Sequence, residues 1–311
     1  MRLTRAVALL GFLLFFCSRA PAQIDTVTVG LFVTDLYDLN LAEKSYRADF
    51  WLWFNYADST LRPQETLELP TARALDRRLA YVENVGGVQW ATQKINAEFK
   101  QDWQLADFPF DTQKLRIVLE ESDRNAAALH YRADTANTKY YEAIRLPNWE
   151  VVDFRIVADT VHYPTTYGDP SLSGGSSYAR ATAEFTLRRQ SRGLFFTLFT
   201  GVYVAFFISV LVFFIDPVDV DPRFGLSVGG LFAAVGNKYI VDSILPQSTS
   251  FTLVDKIHVL TYVFLLVCIV VSVISLRVWK NGRVGASKRL DRVAFFTVTI
   301  LYVALNLLFI L

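Results

Sequence analysis

Four apolar runs between Leu194 and Leu311 decide most of what this chain can fold into. Each is long enough to cross a bilayer as a helix, which takes about 20 residues at about 1.5 Å of rise each. The expected spans are 194–215, 223–245, 256–277 and 292–311. Lipid offers a backbone amide no partner, so such runs must satisfy their own hydrogen bonds, as helices do. One run is unlike the others. Asp221 to Pro246 carries Gly225, Gly229, Gly230 and Gly236, together with Asn237, Lys238 and Asp242. A span that is small and polar along one side turns toward protein or water rather than lipid. On a 3.6-residue period Gly225, Gly229, Phe232, Gly236 and Tyr239 share one face. That face fits two roles, lining a watery path or packing closely inside the bundle.

The preceding half reads differently. The chain is 52% hydrophobic with a net charge of +1, so no bulk charge argues for nucleic acid. Met1 to Ala22 has a basic start, an apolar middle and an Ala20-Pro21-Ala22 ending, the pattern of a secretory signal. Residues 23–192 are then an exported domain and 193–311 a membrane domain. The exported part alternates in short runs: Val27–Val33, Asp49–Tyr56, Lys114–Glu120, Trp149–Val157 and Ala181–Leu187. Leu115, Ile117 and Leu119 share one face, and Gly86-Gly87 and Gly168 to Ser177 mark turns. This pattern predicts an antiparallel β-sandwich. The expected fold class is therefore an α+β membrane protein, a sandwich followed by a four-helix transmembrane bundle. With Cys17 in the signal, Cys268 stands alone in the mature chain, which excludes an intrachain disulfide or a cysteine zinc site.

Phe108-Pro109-Phe110-Asp111 reads locally as an aromatic-anchored turn, with proline fixing the backbone and the aspartate bonding nearby amides. In its wider setting, Trp103 to Glu120 resembles the signature loop of the pentameric ligand-gated ion channels, the Cys-loop receptor superfamily, in the bacterial form without the bracketing cysteines. Leu75 to Asn84 resembles the first agonist-binding loop of that family, and Glu120 to Asn125 the second. Tyr163 to Tyr178 falls where its flexible capping loop lies, and Phe185 to Arg189 resembles the motif before the first membrane helix. Leu245-Pro246 and Phe251 to Asp255 resemble the link between its second and third helices. The motifs occur in order along nearly the whole mature chain.

The resemblance implies a homopentamer in a bacterial inner membrane, its sandwich periplasmic or extracellular. It implies a ligand-gated channel, and no enzyme or cofactor; the sequence shows no nucleophile elbow, phosphate loop or dinucleotide fingerprint. A pentameric sensor of the same fold that conducts poorly is the alternative. The signal peptide sets the orientation, and Arg277, Lys280, Arg283, Lys288, Arg289 and Arg292 then fall on the cytoplasmic side. The link from Asp216 to Arg223 sits at the inner mouth, where Asp219 and Asp221 would favour cations, while acidic residues there also suit a helix start.

By resemblance, Gly225, Gly229, Phe232, Gly236 and Tyr239 line the pore, with Phe232 as the hydrophobic girdle and glycines where relatives carry Ser or Thr. Pro109, Phe110, Asp111, Arg189, Pro246 and Asp255 form the gating interface, with the hairpin near Asp38 to Lys44. Tyr81, Glu83, Glu121, Asp123, Tyr163, Tyr167 and Tyr178 are the candidate ligand residues. Aromatic faces with carboxylates suit a small amine; a proton or a metal cation is the other option. His130, His162 and His258 do not cluster as a metal site. Membrane lipid and permeant monovalent cations complete the expected partners.

Overall fold

The computed structural model describes residues 24–244 and 251–310. The expected signal, 1–22, lies outside them, as does Pro246. Ten strands form two sheets: β1 Asp25–Asn40, β2 Ser45–Tyr56, β3 Leu67–Glu68, β4 Ala72–Val85, β5 Val88–Lys100, β6 Thr112–Asn125, β7 Leu129–Ala133, β8 Lys139–Tyr140, β9 Trp149–Tyr163 and β10 Ser176–Arg189. One sheet runs β4-β5-β2-β1-β7, with β8 also on β1; the other runs β3-β6-β10-β9. Most ladders are antiparallel, as the sequence pattern predicts, and the short strands β7 and β8 join β1 in parallel.

Alternation builds the core. Val27, Val29, Leu31 and Val33 of β1 meet Phe50, Leu52 and Phe54 of β2, and the opposing sheet supplies Leu115, Ile117, Leu119, Ala181, Ala183 and Phe185. Leu75 to Asn84, expected as a loop, is strand β4 at the outer edge of its sheet, exposed along almost its whole length. Gly86 and Gly87, at φ of 60° and 89°, make the tight hairpin turn into β5 that side-chain-bearing residues disfavour.

Four helices follow: α1 Arg192–Val210, extended by a 3-10 turn at Leu211–Phe214, α2 Val220–Ile244, α3 Leu253–Lys280 and α4 Val284–Ile310. All four are long and apolar enough to cross a membrane. The last begins at Val284, well before the expected Arg292, so Lys288 and Arg289 lie on the helix rather than in a link. Thr252 and Asp255 start α3 with reciprocal side-chain-to-backbone hydrogen bonds.

The two halves meet through the loop between β5 and β6. Leu105 and Phe108 share a buried cluster with Leu198 and Phe199 of α1 and Leu253, Val254 and Ile257 of α3. The Leu253 amide donates to the Ala106 carbonyl at 3.2 Å.

Candidate functional site

Helix α2 has two sides. Arg223, Ser227, Gly230, Ala234 and Val241 are buried against the bundle. Gly225, Gly229, Phe232, Gly236 and Tyr239 are all exposed, Phe232 to 72% and Tyr239 to 80%. The glycines divide the same way. A Cβ on Gly225, Gly229 or Gly236 would meet nothing within 4 Å. One on Gly230 would overlap the Ser209 hydroxyl and come within 2.9 Å of the Ala205 carbonyl of α1. Close approach therefore accounts for Gly230 alone, and the open-side glycines have no packing reason within one chain.

At the start of α2, Asp219 and Asp221 are exposed and have no ion-pair partner among the described residues. Asp216 pairs with Lys288 of α4 at 3.1 Å. Arg223, counted in the sequence against the acidic link, is fully buried. It donates to both oxygens of Asp291 on α4, at 3.0 and 2.6 Å, and to the Ile215 carbonyl at 2.9 Å.

Near the other end, Lys238 turns toward α3, pairing with Asp255 at 2.9 Å and also with Asp242. That geometry holds its charge off the open face. Below it, Asn237 donates to the Leu198 carbonyl and to His258 Nε2, each at 3.0 Å. His258 Nδ1 donates to the Val254 carbonyl at 2.8 Å, which fixes a neutral tautomer with Nε2 as acceptor. Asn237 lies so close to Gly201 that any side chain there would strike it. One buried polar network thus ties α1, α2 and α3 together.

The junction with the sandwich centres on Arg189 and Asp111. Arg189 donates from Nε and Nη2 at 2.6 and 3.0 Å, and its guanidinium lies over Trp149 and Phe108, at 4.0 and 4.9 Å from the ring centroids. Gln113 donates to Asp111 at 2.6 Å and braces the loop backbone at Gln104. Pro109 is buried, while the Phe110 ring reaches Phe195 of α1 at 5.9 Å. The β1–β2 hairpin joins here, as the Trp103 indole donates to the Asn40 carbonyl at 3.0 Å. Asp255 caps α3 beneath the loop.

Tyr163, Tyr167 and Tyr178 come together at the β9–β10 turn, their ring centroids 6.0 to 6.4 Å apart. The carboxylate beside them is Glu120. It accepts from the Tyr163 hydroxyl at 3.1 Å and from Arg180 at 2.7 and 3.1 Å. Burial and the bond to Glu120 raise the Tyr163 phenol above its ordinary value. Glu121, expected at this site, faces the core instead, where it is bonded by Thr66, Tyr131 and the Asp123 and Arg124 amides. Alternation carried the signal: Leu115, Ile117 and Leu119 put Glu121 on the inner face and Glu120 on the outer. Asp123 is exposed near the end of β6. Tyr81 and Glu83 lie on β4, the edge of the other sheet. They do not meet the tyrosines within one chain; β4 and β9 are the outermost strands of their sheets at opposite ends of the sandwich.

No family model matches the chain. Three proteins of Caenorhabditis elegans do. A serotonin-gated chloride channel is 22% identical over 47% of this chain, and ligand-gated ion channel 50 is 23% identical over 65%. A beta-type acetylcholine receptor subunit is 28% identical over 56%. The matches span 28%, 40% and 32% of those relatives' own lengths.

The chain is similar to ligand-gated channel subunits.

The sandwich followed by four apolar helices fits such a channel subunit, and the chain is a multi-pass membrane protein. One of these relatives is named as a chloride channel. The residues at these sites that sequence reasoning did not single out are Glu120, Arg180 and Asp291. Each is defined by a partner far away in sequence. Among the described residues no group of His, Cys, Asp and Glu is arranged to hold a metal ion.

Proposed function

We propose that the chain is one subunit of a homopentameric, ligand-gated, cation-selective channel of a bacterial inner membrane, with the sandwich on the periplasmic side. The observation that carries the reading is the open face of α2, continuous from exposed Asp219 and Asp221 through Gly225, Gly229 and Phe232 to Tyr239. Phe196 and Leu308 on other helices are about as exposed as Phe232 and suit lipid. What favours a lumen on α2 is that Phe232 shares its open face with three glycines and two carboxylates, which do not suit lipid. In a closed ring of five, the face becomes a pore with an acidic inner mouth, which concentrates cations. Five Phe232 side chains close it by dewetting.

Ligand binds between subunits. A heterologous ring brings two different edges together, and the tyrosine cluster and β4 with Tyr81 and Glu83 lie at opposite edges of the sandwich. Three aromatic faces suit a small amine. Because Glu120 is already matched by Arg180, Glu83 of the adjoining subunit supplies the free carboxylate. Binding tilts the sandwich, and the loop carrying Pro109, Phe110 and Asp111 moves α1 and the start of α3 through Phe195, Leu253 and Asp255. Ligand opens the pore only by binding the open state more tightly than the closed one.

The test is reconstitution in liposomes, a screen of small amines, and reversal potentials in a salt gradient. Cation-directed current supports the reading, and anion-directed current removes the selectivity claim. A second reading, a sensor that conducts poorly, draws on the missing hydroxyls at Gly225 and Gly229; a ligand that reorders the protein without any current would favour it.

A further inference from the structure

Asp219 and Asp221 face solvent, and the arginine two residues beyond does not. Arg223 has no exposed surface, and Asp291 has only 3%. Their contact is two-pointed, at 3.0 and 2.6 Å, and joins residues 68 apart in the chain. An arginine does not shed its proton in a protein, so a buried one is either cancelled by a partner or felt by every charge around it. Within low-dielectric surroundings that influence reaches further than in water. Helix α4, which carries Asp291, packs chiefly on α3 and meets α2 at Arg223, on its buried side.

We propose that Asp291 is a charge-selectivity determinant of the inner mouth, acting from outside the pore: by cancelling Arg223 it leaves Asp219 and Asp221 as the mouth's uncompensated charge. This rests on the reading of α2 as the lining of an ion path. Asp216 adds little, since Lys288 holds it. With Asp291 in place each subunit offers two unopposed carboxylates. Without it, a positive charge stands about a turn or less from them and opposes half of that. The acidic link alone therefore does not fix selectivity, and a residue on the fourth helix completes the filter.

The experiment compares the full-length wild type, Asp291→Asn, and the double variant Arg223→Gln with Asp291→Asn, reconstituted in liposomes under a KCl gradient. The expected result is a cation-to-anion permeability ratio at least about threefold lower in Asp291→Asn. The double variant, with both charges gone, returns to the wild-type ratio. An unchanged ratio in Asp291→Asn overturns the assignment, and so does a double variant that stays shifted, because distortion rather than charge would then be the cause. If Asp291→Asn does not assemble alone, co-expression with wild-type subunits gives mixed rings. Their ratio falls as the variant share rises, and a constant ratio overturns the assignment. A wild type that passes no ion removes the channel reading and this assignment with it. A conducting wild type beside an unmoved variant removes the assignment alone.

Discussion

Arg189 and Asp111 hold each other at two points, 2.6 and 3.0 Å, where the sandwich meets the helices, and both side chains are almost completely buried. Removing one partner strands the other's charge in the interior. Asp111→Asn or Arg189→Gln should therefore cost about 3–5 kcal/mol of folding stability. Arg189→Lys should rescue little, because an ammonium cannot make the fork to Asp111 while stacking over Trp149. Thermal melts of the purified variants check this; a lysine variant as stable as the wild type would show that charge alone is enough.

Gly229 and Gly230 are adjacent in sequence and opposite in demand. Gly230→Ala presses on the Ala205 carbonyl and the Ser209 hydroxyl, an overpacking that costs about 1–3 kcal/mol. Gly229→Ala meets open space. Melting and size-exclusion profiles should shift for the first variant and hold for the second. Equal losses would mean that α2 is buried on both sides.

Phe232→Ala removes the largest apolar group near the middle of the open face, and the pore reading expects channels that open without ligand. Single-channel recording measures the closed fraction; a fraction unchanged from wild type would remove Phe232 from the gate.

Glu184 sits on the outer face of the β6–β10–β9 sheet among Lys114, Arg116 and Arg155. Burial alone would raise its carboxyl, but hydrogen bonds from Arg116 and Arg155 and the charges of Arg116 and Lys114 hold it below the ordinary 4.5. A carboxyl lower in the folded state stabilises fully above its unfolded value, since the unfolded chain takes up the proton first as pH falls. Stability from this group should fade below pH 4.5, and Glu184→Gln should flatten that part of the melting-against-pH curve. A variant with the wild-type acid slope would assign the slope elsewhere.

Much of this was legible in the sequence because it is local. Alternation in Val27–Val33 and Lys114–Glu120 gives strands, run length gives helices, and the 3.6 period of α2 finds the residues that stand exposed together. What escaped depends on distance. Strand β4 is exposed along its length, so Leu75 to Asn84 lacks the one-sided burial that marks a strand and reads as a loop. Arg223 looks like a surface charge until Asp291 meets it from another helix. Glu120 faces outward and Glu121 inward, as the alternation of Leu115, Ile117 and Leu119 implies, but the motif around them does not distinguish the two. The start of α4 at Val284 was hidden because Lys288, Arg289 and Arg292 mimic a polar link while lying on a helix.

That α2 presents its open face to an ion path is tested most directly by cysteine accessibility along the helix. The native Cys268 is buried and gives little background. Cysteines placed singly at Gly225, Gly229, Phe232, Gly236 and Tyr239 should react with a charged thiol reagent and alter current through reconstituted protein, while those at Ser227 and Ala234 should stay silent. Reaction at Ser227 and Ala234 as readily as at the open positions, or reaction at the open positions with no change in current, would contradict it.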